Sequence, residues 1–183
     1  MNVLQKLLRQ PVIKLADKFS SRPDKQRVFD SLTELHEKIV EGNEKKGLII
    51  PFDCAKDKFI IFSDEHKGRK NHADDFAVCE NNYVNALQYY FDEDYFFINL
   101  GDGEELWENN IFQVKKYNHR SFKREKLFEQ QKRFIKIFGN HDLYWANDPT
   151  AFIQLESIYG EKIPIYEGCM LTTKINERSF EIY

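Results

Sequence analysis

The sequence predicts an α/β fold built on a parallel sheet, and three observations carry that expectation. Three apolar runs, Phe59-Ile60-Ile61-Phe62, Tyr95-Phe96-Phe97-Ile98 and Phe134-Ile135-Lys136-Ile137-Phe138, are short and rich in β-branched and aromatic residues, as buried strands are. A polar cluster directly follows each run: Asp64-Glu65-His66, Gly101-Asp102-Gly103 and Gly139-Asn140-His141-Asp142. Asp64 to Asp102 and Asp102 to Asn140 are each 38 positions apart, enough for a helix and a return to a parallel strand. Two such crossovers bring the three clusters to one sheet edge, at the carboxyl ends of the strands, where open α/β sheets bind ligands.

The elements follow in order. Residues 1 to about 45 read as helical and charged. Met1 to Phe19 sets Val3, Leu4, Leu7, Leu8, Val12, Ile13 and Leu15 among Lys and Arg, a helix expected to pack on the sheet or on a partner rather than lie on a membrane. It lacks the continuous apolar segment of a signal peptide. Ser31 to Val40 is the clearest amphipathic piece, closed by Gly42-Asn43. Leu48 to Phe52 reads as an edge strand, because Pro51 has no amide hydrogen for a ladder. Asp74 or Asp75 is expected to cap a helix through Phe91 that buries Phe76, Val78, Tyr83, Val84, Leu87 and Tyr90. Glu104 to Phe134 reads as mostly helical, and Asp148-Pro149 opens a helix over Thr150 to Tyr159. Beyond Gly160, Ile163 to Glu167, Met170 to Ile175 and Ser179 to Tyr183 read as short strands.

Asp64, His66, Asp102 and Asn140 offer carboxylate, imidazole and amide groups, a set suited to hard or borderline divalent ions. Asp102, between the other two strand ends, is placed to bridge two ions. In order, Asp-x-His, Gly-Asp-x-x-Glu and Gly-Asn-His-Asp resemble the motifs of the calcineurin-like metallophosphoesterase superfamily. The resemblance implies an α/β/β/α sandwich, in which two mixed sheets carry helices on their outer faces. It also implies two divalent metal ions, Mn, Fe or Zn, with Asp64 and His66 on the first, Asp102 bridging and Asn140 on the second. His141 would then face the substrate and stabilise or protonate the leaving oxygen, with Glu105 orienting it and favouring its imidazolium form. The implied activity is hydrolysis of phosphate mono- or diesters by in-line attack, both ions holding phosphate oxygens. Gly101 to Glu108 and Ala73-Asp74-Asp75-Phe76 further resemble the branch containing UDP-2,3-diacylglucosamine pyrophosphohydrolases, which bears on branch and not on substrate.

The superfamily completes its metal shells with downstream histidines. Here the five histidines are at 36, 66, 72, 119 and 141, and none follows His141. The expectation is therefore a chain truncated within its second sheet, with the second ion under-liganded and one ion preferred to two. The alternative is a non-catalytic fragment or degenerate scaffold with an incomplete metal site.

Composition bounds the rest. The 183 residues suit a single domain, with residues 1–45 as its helical N-terminal segment. A net charge of −3 does not favour nucleic acid, and no apolar run approaches the roughly 20 residues a membrane span needs. Cys54, Cys79 and Cys169, odd in number and widely spaced, suggest a reducing, cytoplasmic location, each as a small core residue. Lys67, Arg69 and His72 form a basic loop beside the first motif, a candidate contact for a phosphorylated substrate. Glu125 and Glu129 are expected to neutralise part of the Lys115 to Arg124 cluster as helix pairs. Trp107 and Trp145 read first as packing residues.

Overall fold

The computed structural model describes residues 3–19 and 24–183. Contacts divide the chain into two units, one ending at Glu34 and the other spanning Leu35–Tyr183. The first holds α1 (Val3–Phe19) and the start of α2 (Lys25–Val40), where Asp24 Oδ1 accepts from Gln26 N at 2.8 Å. Leu7, Leu8, Val12, Ile13, Leu15 and Phe19 are exposed on α1.

The second unit holds β1 (Gly47–Pro51), β2 (Phe59–Phe62), α3 (Phe76–Asp92), β3 (Phe96–Leu100), α4 (Ile111–Tyr117), α5 (His119–Gln130), β4 (Phe134–Ile137), α6 (Tyr144–Asn147), α7 (Ala151–Tyr159), β5 (Gly168–Ile175) and β6 (Arg178–Ile182). β2, β3 and β4 are parallel neighbours in that order, with Phe62 opposite Asn99 and Leu100 opposite Ile137. The two 38-residue spacings are thus two crossovers, through α3 and through α4 with α5. On one face Phe97 packs with Phe76, Tyr83, Val84 and Leu87 of α3 and Phe128 of α5. On the other, Ile98 and Ile137 meet Leu171 of the second sheet, with Leu48 and Ile50 alongside. That sheet has the order β1-β5-β6, with β1 parallel and β6 antiparallel to β5. β1 lies at its edge, as Pro51 predicts. Ile39 of α2 covers Gly47 and Gly168 on the side away from Leu48 and Ile50. The class is α/β, layered helix, sheet, sheet, with one wholly parallel and one mixed sheet.

Several expectations need correction. Val78 is 83% exposed, because α3 buries Phe76, Glu80, Tyr83, Val84 and Leu87, a helical stripe that leaves position 78 on the outer side. Residues 104–110 are loop rather than helix, and within 163–167 only Tyr166 pairs, in a bridge to Ile137. Cys54 and Cys79 are exposed rather than core residues, and only Cys169 is half-buried. No helix of the described residues is long and apolar enough to cross a membrane.

Candidate functional site

Because the three strands end in register, the residues after them form adjoining loops. The first two continue the parallel pairing past the sheet. Asp64 N donates to Gly101 O (3.3 Å), His66 N to Asp102 O (2.9 Å), and Lys67 N to Gly103 O (3.0 Å). The third loop joins through His141 N, which donates to Asp102 Oδ1 at 2.7 Å. Asp142 ties the second and third loops together, its carboxylate accepting from Gly103 N (3.0 Å) and Gly139 N (2.6 Å). It is fully buried, and burial pushes its carboxyl up. A Cβ on Gly139 would sit 2.7 Å from Asp102 N and collide with Asp102 Oδ1, so the third loop passes the second only with glycine there.

The turns that direct the site's side chains are strained. Asp64 (φ 59°), His66 (φ 49°) and Asp102 (φ 52°) all occupy the left-handed region, which costs a non-glycine residue about 1–3 kcal/mol. Such strain persists only where surrounding contacts over-determine it, and here the inter-loop hydrogen bonds do so.

His66, Asp102 and His141 each place one ligand atom within 4.8 Å of the others. Ligand atoms bound at about 2.0–2.2 Å around one ion lie roughly 3–4 Å apart, so modest side-chain rotation fits this trio to one divalent ion. Asp64 Oδ1 adjoins it, 3.7 Å from His66 Nε2. Asn140 is exposed on the loop beside His141. Glu105 organises the cluster: its Oε2 is 2.7 Å from His141 Nδ1 and 3.1 Å from His66 Nδ1. Both imidazoles therefore keep Nε2 for other work. Burial pushes the Glu105 carboxyl up, but hydrogen bonds to His66 and His141 and the charge of His141 outweigh it and hold it below the usual carboxylate range. The indole of Trp107 stacks on the His141 ring, centroids 4.0 Å apart and planes at 24°, a contact that strand-and-motif reading does not reveal because Trp107 and His141 are distant in sequence.

The basic loop is corrected. Lys67 is fully buried and cannot meet a substrate. It directly follows His66, whose left-handed turn leaves the imidazole at the rim and the Lys67 side chain in the core. There its Nζ lies 3.4 Å from Glu104 Oε1 and 3.2 Å from Glu125 Oε1. Lys136 Nζ binds Glu104 Oε1 at 3.0 Å and Asn99 Oδ1 at 2.9 Å, and Asn99 Nδ2 donates to Glu65 Oε2 at 2.9 Å. Trp145 Nε1 donates to Glu104 Oε2 (2.6 Å), and Tyr83 and Tyr159 both donate to Glu125. Glu125 is thus part of this buried lattice and not a surface helix pair. Arg69 and His72 are exposed, and neither lines the cavity beside the cluster. The chain matches no family model, no curated protein and no solved structure.

Proposed function

We propose that this chain is a divalent-metal-dependent hydrolase of phosphate mono- or diesters. The observation that supports the reading best is the convergence of His66, Asp102 and His141 within 4.8 Å at the carboxyl ends of three adjacent parallel strands. Isolated acidic and imidazole groups are common on surfaces. Three from separate strand ends, two of them on strained backbone, need a reason to meet. A bound divalent ion would supply Lewis-acid stabilisation of the phosphate oxygens and a more acidic water. His66 and Asp102 would hold it, with Asp64 at its side and His141 within reach of it. A second ion would draw on Asp64 and Asn140. Glu105 fixes the tautomer of both rings by engaging their Nδ1 atoms, which leaves each Nε2 directed away from it.

His141 has two roles open to it, ion ligand or proton donor to the leaving oxygen, and one substitution separates them. In the manganese-loaded chain, His141→Ala should lower cleavage of alkyl phosphates by about 10²-fold or more if the ring is a general acid, with 4-nitrophenyl phosphate less affected and metal content unchanged. Loss of bound metal would make it a ligand. The reading itself is tested with Asp102→Asn, expected to lower both Mn²⁺ affinity and phosphatase activity. No hydrolysis of mono- or diesters by the wild-type chain with Mn²⁺, Fe²⁺ or Zn²⁺ would overturn it.

A further inference from the structure

We propose, independently of the hydrolase reading, that α1 is an amphipathic anchor that lies flat on a membrane surface bearing anionic phospholipids. Leu8, Val12, Leu15 and Phe19 recur at intervals of four, three and four residues, which puts them on one stripe of the helix. All four are at least 50% exposed, so among the described residues the rest of the chain leaves this stripe uncovered. By the same helical spacing Leu7 lies at the margin of the stripe and Ile13 outside it. No helix of the described residues is long and apolar enough to cross a membrane, so α1 would lie in the plane of the surface.

Charge points to what covers the stripe. Lys14 and Lys18 flank it on one side and Arg9 on the other, with Lys6 behind, and all four are exposed. Against them α1 has one acid in its sequence, Asp17, which leaves the helix at +3 in a chain whose total is −3. Positive charge is thus concentrated beside the apolar stripe, on a protein whose remainder is acidic. Helices that lie in the headgroup layer have this pattern: hydrocarbon enters the acyl boundary while long basic side chains reach the lipid phosphates. A nucleic acid would use the cations and leave the stripe in water. A helical protein partner would need an unbroken seam of knobs in holes. Pro11, inside α1, lacks the amide for one backbone hydrogen bond and crowds the preceding turn, whereas fluid lipid imposes no register.

Co-sedimentation of the full chain with lipid vesicles tests the anchor. Vesicles of phosphatidylcholine with about one-third phosphatidylglycerol should be bound about 10–100-fold more tightly than vesicles of phosphatidylcholine alone, at roughly 5-fold per basic residue near an anionic surface. Most of that difference should vanish in 1 M salt. Lys14→Gln combined with Lys18→Gln should weaken binding to the anionic vesicles about 10-fold or more. Leu8→Gln combined with Leu15→Gln should weaken it by a similar factor, because the apolar stripe no longer enters the acyl boundary, while Gln keeps a helix propensity close to that of Leu. Unchanged urea midpoints in both variants would show that the rest of the fold persists. No binding of the wild type to anionic vesicles, or equal binding to neutral ones, overturns the proposal. So does a leucine variant that binds as the wild type does, which would leave α1 a general site for polyanions. A wild-type dimer in solution that the leucine variant breaks, with no vesicle binding, would assign the stripe to a second copy of the chain and overturn the proposal equally.

Discussion

Glu105 shows how much of this site depends on one carboxylate. Its Oε2 meets two imidazole Nδ1 atoms and its Oε1 accepts from Trp107 N at 3.2 Å. An amide offers one acceptor oxygen in place of two and carries no charge, so Glu105→Gln can accept from the two rings or from Trp107 N but not from both sides. We expect this substitution to weaken Mn²⁺ binding about 10–100-fold, the usual effect of removing a residue that orients metal ligands, with little change in the urea midpoint. Calorimetric titration checks the first expectation and chemical denaturation the second. A large fall in stability with unchanged metal affinity would make Glu105 a structural residue. Trp107, 64% exposed yet stacked on His141, belongs to the same assembly.

At the scale of elements, the loops after β2, β3 and β4 are held from two sides. Above, glycine allows close passage. Gly139→Ala places a methyl against Asp102 and should lower metal affinity and stability together, by about 1–3 kcal/mol for the latter. Gly42→Ala is the control: nothing lies within 4 Å of its added methyl, so only the cost of φ +83° remains, about 1–2 kcal/mol, and metal affinity should not change. Below, Lys67 and Glu104 sit directly beside His66 and Glu105 in sequence and point the opposite way, into the lattice with Glu125 and Lys136. Removing one partner of a buried ion network leaves uncompensated charge and costs about 3–5 kcal/mol. Lys67→Met should therefore lower unfolding free energy by that amount in urea titrations.

For the whole molecule, the lattice sets the response to acid. Burial alone would push the Glu104 carboxyl up, but the ammonium groups of Lys136 and Lys67 and hydrogen bonds from Lys136 and Trp145 hold it down to about 2, from 4.5 when free. A depressed folded pKa stabilises above the unfolded value, and the contribution is lost as pH falls from about 4.5 towards 2. Glu65 and Asp142, whose carboxyls are raised chiefly by burial, act with the opposite sign and disfavour folding once ionised. The urea midpoint should fall across pH 4.5 to 2, and Glu104→Gln should flatten that limb while lowering stability near neutrality. An unchanged acid slope in the variant would show that the lattice does not carry it.

The sequence by itself determined β2, β3 and β4, their parallel pairing and the sheet edge at which the loops carrying Asp64, His66, Asp102, Asn140 and His141 begin. Those features follow from local rules: β-branched runs make strands, a 38-residue gap makes a crossover, and right-register parallel strands end together. Tertiary structure alone decided what each polar side chain does. Lys67 reads as one more base in an exposed loop until the turns after β2 and the pairing with Glu104 set it inward, and Glu125 reads as a helix-surface charge until α5 packs against α3 and α7. The cavity beside the cluster, likewise, draws its wall from β2, the loop after it, α3 and the loop after β3. Burial and pairing are properties of neighbours distant in the chain, and a charge acquires its partner only when the packing that removes water from it is complete.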